Sequence, residues 1–176
     1  MPGADGVTLL TDHYVPLTDE ERGTILVRTP YGRGFPWAHL YGVAFAEQGF
    51  HVLLQSCRGT GGSTGRWWEP FRHEAADGHA TVAWLRGQDW FNGRLAAVGP
   101  SYLAFTAWAL AADPPPELTA MAVYISPHNL AAAGFGPTVE FFAEVLVFSG
   151  LWHERVAGRV RRSRPATYSS LMQSSG

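Results

Sequence analysis

The chain is predicted to be an α/β protein built on a mostly parallel sheet with helices on both faces, and two observations carry this. Short, nearly continuous apolar runs, such as FHVLLQ at residues 50–55 and LAAV at residues 95–98, suit strands buried on both faces. Between such runs lie longer segments whose apolar residues recur at helical spacing, so strands and helices alternate along the chain. With 176 residues, 46% of them hydrophobic and only 16% charged, there is material for one domain with a substantial core.

The elements follow in order. Residues 7–15 hold Val, Leu, Thr and Tyr, end at Pro16 and precede the polar TDEERG, the pattern of an edge strand and a turn. Residues 24–27 are a brief β-branched strand that stops at Arg28-Thr29-Pro30-Tyr31-Gly32, a loop rich in turn formers. Trp37, Leu40, Tyr41, Ala44, Phe45 and Gln48 then mark a helix, with Gly49 as its stop. The strand at 50–55 runs into RGTGGSTG, residues 58–65, which is too glycine-rich to be regular structure. A second helix is expected over 74–86, with Ala76, Ala80, Ala83 and Trp84 on one face. Glu74 and Asp77 are expected to face solvent near its N-terminus, where acids are favoured. A strand at 95–98, a helix at 101–112 with Leu103, Ala107, Leu110 and Ala111 on one side, and a strand at 118–125 follow. Asp113 and three prolines end that helix. Residues 139–152 (VEFFAEVLVFSGLW) suit one strongly apolar helix, and the Arg-rich, then Ser-rich residues 155–176 suit a poorly ordered tail.

Composition excludes several functions. All 13 basic residues are arginine, against 15 acidic ones, so there is no basic surplus for nucleic acid, and without lysine a Walker A phosphate loop is impossible. RGTGGSTG also fails as a dinucleotide loop, because Trp67, Trp68, Glu69 and Pro70 follow it rather than a helix. Two uncharged runs, 95–112 and 118–139, are long enough to span a bilayer, but prolines and polar residues interrupt both, so no membrane segment is expected. The N-terminus carries Asp5 and no positive segment before an apolar core, and the single Cys57 forms no intrachain disulfide, which together point to the cytoplasm. His73 and His79 lie six apart and face different sides of a helix, so no metal site is expected. Cys57 beside Arg58 reads either as an activated thiol or, more often for such a residue, as a small buried hydrophobe.

The sharpest chemical signal is GPSYLA, residues 99–104, between a buried strand and a helix. A serine at such a turn has its hydroxyl pushed out of the sheet, beside the free N–H groups and positive dipole end of the helix, which suit a developing oxyanion. Serine is also a common helix cap, so the motif alone leaves that plainer reading open.

Taken together, RTPYGR (28–33), RGTGGSTG (58–65), the helix bearing Glu74, Asp77 and Trp84, QDWFNG (88–93), GPSYLA and the opening DGVTLLTDHYVP are collinear over roughly residues 5–150. They resemble the N-terminal part of the cocaine-esterase and X-Pro dipeptidyl-peptidase family of serine hydrolases. The resemblance implies an α/β-hydrolase fold, with residues 1–127 forming the N-terminal part of its core and residues 128–154 beginning a helical cap. It implies that Ser101 is the acyl-forming nucleophile and that the Tyr102 N–H and the Tyr31 hydroxyl form the oxyanion hole. No cofactor is implied, and the substrate is an ester or an X-Pro-type peptide. Two positions depart from the family pattern: Ser56 stands where aspartate is usual, and Ala104 replaces a commoner glycine.

In α/β-hydrolases the triad runs Ser, then Asp or Glu, then His. After Ser101 the chain offers His128 and His153 as bases and Asp113, Glu117, Glu140, Glu144 and Glu154 as acids, none of them in the family's late motifs. The chain is therefore expected to be a truncated hydrolase, poor in activity by itself. The rival expectation is a non-catalytic fragment whose open sheet edge pairs with a second copy or a complementing chain.

Overall fold

The computed structural model describes residues 1–126. Five strands form one sheet in the order β1-β3-β2-β4-β5: β1 (Thr11–Tyr14), β2 (Gly23–Thr29), β3 (Phe50–Ser56), β4 (Leu95–Pro100) and β5 (Leu118–Tyr124). Only β1 is antiparallel, pairing Thr11 with Gln55 and Tyr14 with Val52; the other pairs are parallel. The predicted α/β class is therefore what forms, and the run at residues 7–15 supplies its edge strand.

The reason lies in the central strands. All seven residues of β2 are buried between β3 and β4. Their side chains alternate: Ile25 and Val27 join Val52, Leu54, Val98 and Leu103 on one face, while Leu26 joins Leu53, Leu95 and Leu110 on the other. The first face is covered by a π-helical segment, Ala38–Val43, that continues as a short α-helix, α1 (Ala44–Ala46). Gly42 permits that approach, because a β-carbon there would lie 2.4 Å from Tyr14 Cζ. The second face is covered by α2 (Glu74–Leu85) through Val82 and Leu85. A third helix, α3 (Ser101–Ala111), contributes Leu103 to one cluster and Leu110 to the other. Strand β5 is outermost and pairs only with β4 among the described residues.

The expected inward face of α2 is corrected. Ala76 and Ala83 are exposed, whereas Glu74, Asp77, Gly78, Thr81, Val82 and Leu85 are buried, Glu74 and Asp77 to 4% and 1% exposure. Small alanines cost little to leave in water, and both acids have partners inside. No helix among the described residues is long and apolar enough to cross a membrane. The cap and tail regions expected at residues 128–154 and 155–176 lie outside the described residues.

At the sheet end away from α3's N-terminus, His13 Nε2 lies 2.9 Å from His51 Nδ1, and both rings stack on Trp90 at centroid distances of 4.2 and 4.5 Å. Burial holds both imidazoles below their ordinary value; the charge of His51 adds to this for His13, and Glu21 partly offsets it for His51. The folded chain thus takes up these protons less readily than the unfolded one. Their contribution to stability is complete above the ordinary imidazole value of about 6.5 and is lost as the pH falls below it. Urea midpoints should fall between pH 7.5 and pH 5.5, and by less in His51→Phe, which keeps a ring on Trp90; an equal fall in the variant would assign the loss elsewhere.

Candidate functional site

Ser101 and Tyr31 both follow the carboxyl ends of parallel strands, β4 and β2, which are hydrogen-bonded neighbours, so the topology brings them to the same edge of the sheet. Ser101 begins α3 directly after Pro100 and is exposed. Its φ is +52°, a left-handed conformation that costs a non-glycine residue on the order of 1–3 kcal/mol and persists only where its surroundings enforce it. Here the enforcement comes from both sides of the turn. Gly99, at φ +153°, has room for no side chain, since a β-carbon would lie 2.4 Å from Leu103 Cβ. Leu103 is fully buried, and the buried Thr106, whose hydroxyl donates to the Leu103 carbonyl at 2.7 Å, lies with its Oγ1 3.3 Å from the Arg28 carbonyl, setting α3 against the end of β2. As a first-turn residue, Tyr102 has a backbone N–H with no acceptor within the helix. Ala104 is fully buried, so the small residue there is a packing requirement that alanine meets.

Tyr31 is half-buried. Its N–H donates to Thr29 Oγ1 at 3.0 Å, and its ring stacks on Trp37 at 5.8 Å. Trp37 stacks in turn on Tyr41, and Tyr41 on Phe45, an aromatic row along the helix that covers this face. The Tyr41 hydroxyl meets that of Tyr124 at 2.6 Å, and burial with this hydrogen bond raises its titration well above the ordinary phenol range.

Beneath the turn lies a polar layer that sequence reasoning missed, since it had placed Glu74 and Asp77 in solvent. The Tyr102 hydroxyl donates to the Glu74 carboxylate and accepts the Phe71 N–H at 2.9 Å. Burial and the nearby Glu74 charge push the phenol far above its ordinary range, so it remains a donor at neutral pH. Arg28, 2% exposed, donates from Nε to Gln55 Oε1 at 2.9 Å and from Nη1 to the Glu74 carbonyl at 2.5 Å. One turn along α2, Asp77 accepts both Nε and Nη2 of Arg58, at 3.0 and 2.7 Å, and also the Ala4 N–H at 3.0 Å. Arg58 Nη1 reaches Asp5 at 3.1 Å, and Nη2 also donates to the Ala4 carbonyl at 3.0 Å. The signal available in the sequence was the i, i+3 spacing of the two acids, which puts them on one helix face.

Ser56, the departure from aspartate, still supports its loop: its hydroxyl accepts Arg33 Nη1 at 2.6 Å, and its carbonyl accepts the Ser63 hydroxyl at 2.9 Å. Cys57 is 1% exposed and burial pushes its thiol up to about 12, so it is a packed core residue and not an activated thiol. His73 Nε2 lies 3.1 Å from Glu69 Oε2, and no cluster of metal-ligating side chains occurs among the described residues. No base hydrogen-bonds Ser101 Oγ among the described residues, and His128 and His153 lie outside them.

A mixed sheet with this strand order, helices on both faces and a serine at the turn from strand to helix places the protein in the α/β-hydrolase class. The α/β-hydrolase GrgF from Penicillium sp. sh18 shares the fold, with a TM-score of 0.64 over 94% of this chain and 55% of its own at 21% identity. Within that class, residues 5–155 match the X-Pro dipeptidyl-peptidase (S15) family, a family of hydrolases, and the chain belongs to it. It is 32% identical to the cocaine esterase of Rhodococcus sp. (strain MB1 Bresler) over 152 residues, which are 84% of this chain and 26% of that protein. An α-amino acid ester hydrolase of known structure is 27% identical over 68% of this chain and 23% of its own, with a TM-score of 0.57. The chain thus spans about a quarter of the length of these relatives.

The Arg58–Asp77 pair yields a stability prediction. Asp77→Ala leaves a guanidinium that is largely buried without its main partner, and the loss should be about 3 kcal/mol in urea unfolding, with faster proteolysis of the first few residues. A loss below about 1 kcal/mol would show that the pair behaves like an exposed one.

Proposed function

We propose that this chain carries the nucleophile and the oxyanion donors of a serine hydrolase acting on an ester or an X-Pro-type peptide bond. Ser101 Oγ attacks the acyl carbon, its proton passes to a base, and the leaving alcohol or amine departs; water then releases the acid from the acyl-enzyme. The Tyr102 N–H and the Tyr31 hydroxyl hold the negative charge that develops on the carbonyl oxygen. The base and its acid partner come from outside the described residues. No cofactor enters the reaction.

One observation carries this reading: an exposed serine held at φ +52° on a strand-to-helix turn, in a chain that belongs to a hydrolase family. Strain of this kind is retained at functional positions because it pre-aims a side chain. An ordinary helix cap would not supply it: a capping serine has extended backbone and precedes the helix, a place taken here by Pro100 at φ −92° and ψ 165°. The family and its named relatives support both ester and peptide bonds as substrates.

Because no base meets Ser101 among the described residues, labelling of the purified chain by a fluorophosphonate probe should be slow, but it should give one adduct by intact mass, located on Ser101 by peptide mapping and absent from Ser101→Ala. Labelling elsewhere, or an equal adduct in Ser101→Ala, would remove Ser101 from the mechanism.

A further inference from the structure

Resting on that reading, we infer that Glu74 is a positioning residue: its buried carboxylate, by accepting the Tyr102 hydroxyl, fixes the backbone of the Ser101–Tyr102 turn and ties the loop at residues 66–73 to it. Tyr102 has two ends with separate duties. Its backbone N–H belongs to the turn that presents Ser101, whereas its ring runs inward, 7% exposed, to Glu74, which is 4% exposed. A carboxylate this buried carries a large desolvation cost unless its oxygens are occupied. Both are: one accepts the Tyr102 hydroxyl, the other the His73 N–H at 3.0 Å.

The same phenol is an acceptor for the Phe71 N–H at 2.9 Å, and Phe71 is itself held in a left-handed conformation at φ +67°. Trp68, Phe71 and Phe105 pack around the Tyr102 ring at centroid distances of 5.1, 5.2 and 5.6 Å. Two non-glycine residues with positive φ, Ser101 and Phe71, are therefore joined through one phenol and one carboxylate. The protonated phenol donates to Glu74 throughout the neutral range. Arg28 Nη1, donating to the Glu74 carbonyl, fixes the first turn of α2 to β2 and gives the carboxylate a rigid base.

Three variants of the full chain test this. Glu74→Leu removes the acceptor, Tyr102→Phe removes only the donor oxygen, and Glu74→Gln keeps an acceptor oxygen. Hydrogen exchange read by mass spectrometry should rise about tenfold or more at residues 66–73 and 99–106 in Glu74→Leu and Tyr102→Phe, with β2 and β3 unchanged. Glu74→Gln, whose one amide oxygen can serve Tyr102 while its NH2 faces the His73 N–H, should restore exchange at residues 99–106 to within about threefold of the parent and leave residues 66–73 raised. Fluorophosphonate labelling of Ser101 should slow by about tenfold in the first two variants, at unchanged half-saturating probe concentration, and recover in Glu74→Gln. Unchanged exchange at 99–106, a uniform rise across β2 and β3, or no recovery at 99–106 in Glu74→Gln would overturn the inference. Should Glu74→Leu not fold, Tyr102→Phe carries the same comparison. Absence of Ser101 labelling in the parent chain would overturn the nucleophile reading, while the exchange pattern would still decide the tie between Glu74 and the turn.

Discussion

The fold around the site depends on two carboxylates buried on one face of α2. Glu74 and Asp77 sit one helical turn apart and each reaches a different neighbour: Asp77 holds Arg58 and the Ala4 N–H, and Glu74 holds Tyr102. Through these contacts the N-terminal segment, the glycine-rich loop after β3 and the turn before α3 are all referred to one rigid helix. Charges so deeply buried are tolerated only where their oxygens are occupied, and here each carboxylate makes several hydrogen bonds. The arrangement is specific for the same reason, because a shifted register of α2 would strand both charges in the core.

Above this polar layer the apolar packing is conventional, and its role is to make the strained turn rigid. The buried Leu103 leaves no space for a side chain at residue 99, and the glycine there lets β4 pass into α3 without a break. Ser101 takes up the resulting left-handed conformation and is exposed. On the opposite face of the sheet from α2, the aromatic row from Tyr31 to Phe45 fixes the loop that follows β2. The two predicted oxyanion donors are thus supported by different layers, one polar and one aromatic.

What could be read in advance follows physical lines. The strands at 24–27, 50–55 and 95–98 were legible because residues in a parallel sheet are apolar on both faces, and β2 and β3 are buried almost throughout, whereas the strand at 118–125 was legible only as an apolar run, since no residue of β5 is buried among the described residues. The strand-to-helix turn at Ser101 was legible because it is a local event between two recognisable elements. The inward face of α2 was not, because alanine counts as apolar in any periodicity although it loses little in water, while the acids gain their partners only from distant segments. Asp77 meets Arg58 across 19 residues and Ala4 across 73. The close packing of Tyr14 over Gly42 in the π-helical start of the first helix was likewise hidden, since Tyr14 comes from a distant strand.

By itself the sequence determined the class of fold, the order of its elements and the place of the candidate nucleophile, since each is written in short-range patterns of burial and turn chemistry. The tertiary structure alone decided which charges are buried, what holds Tyr102 and why Cys57 is inert. Those outcomes depend on desolvation and on hydrogen bonds between residues far apart in the chain, and such energies exist only once the segments have been brought together.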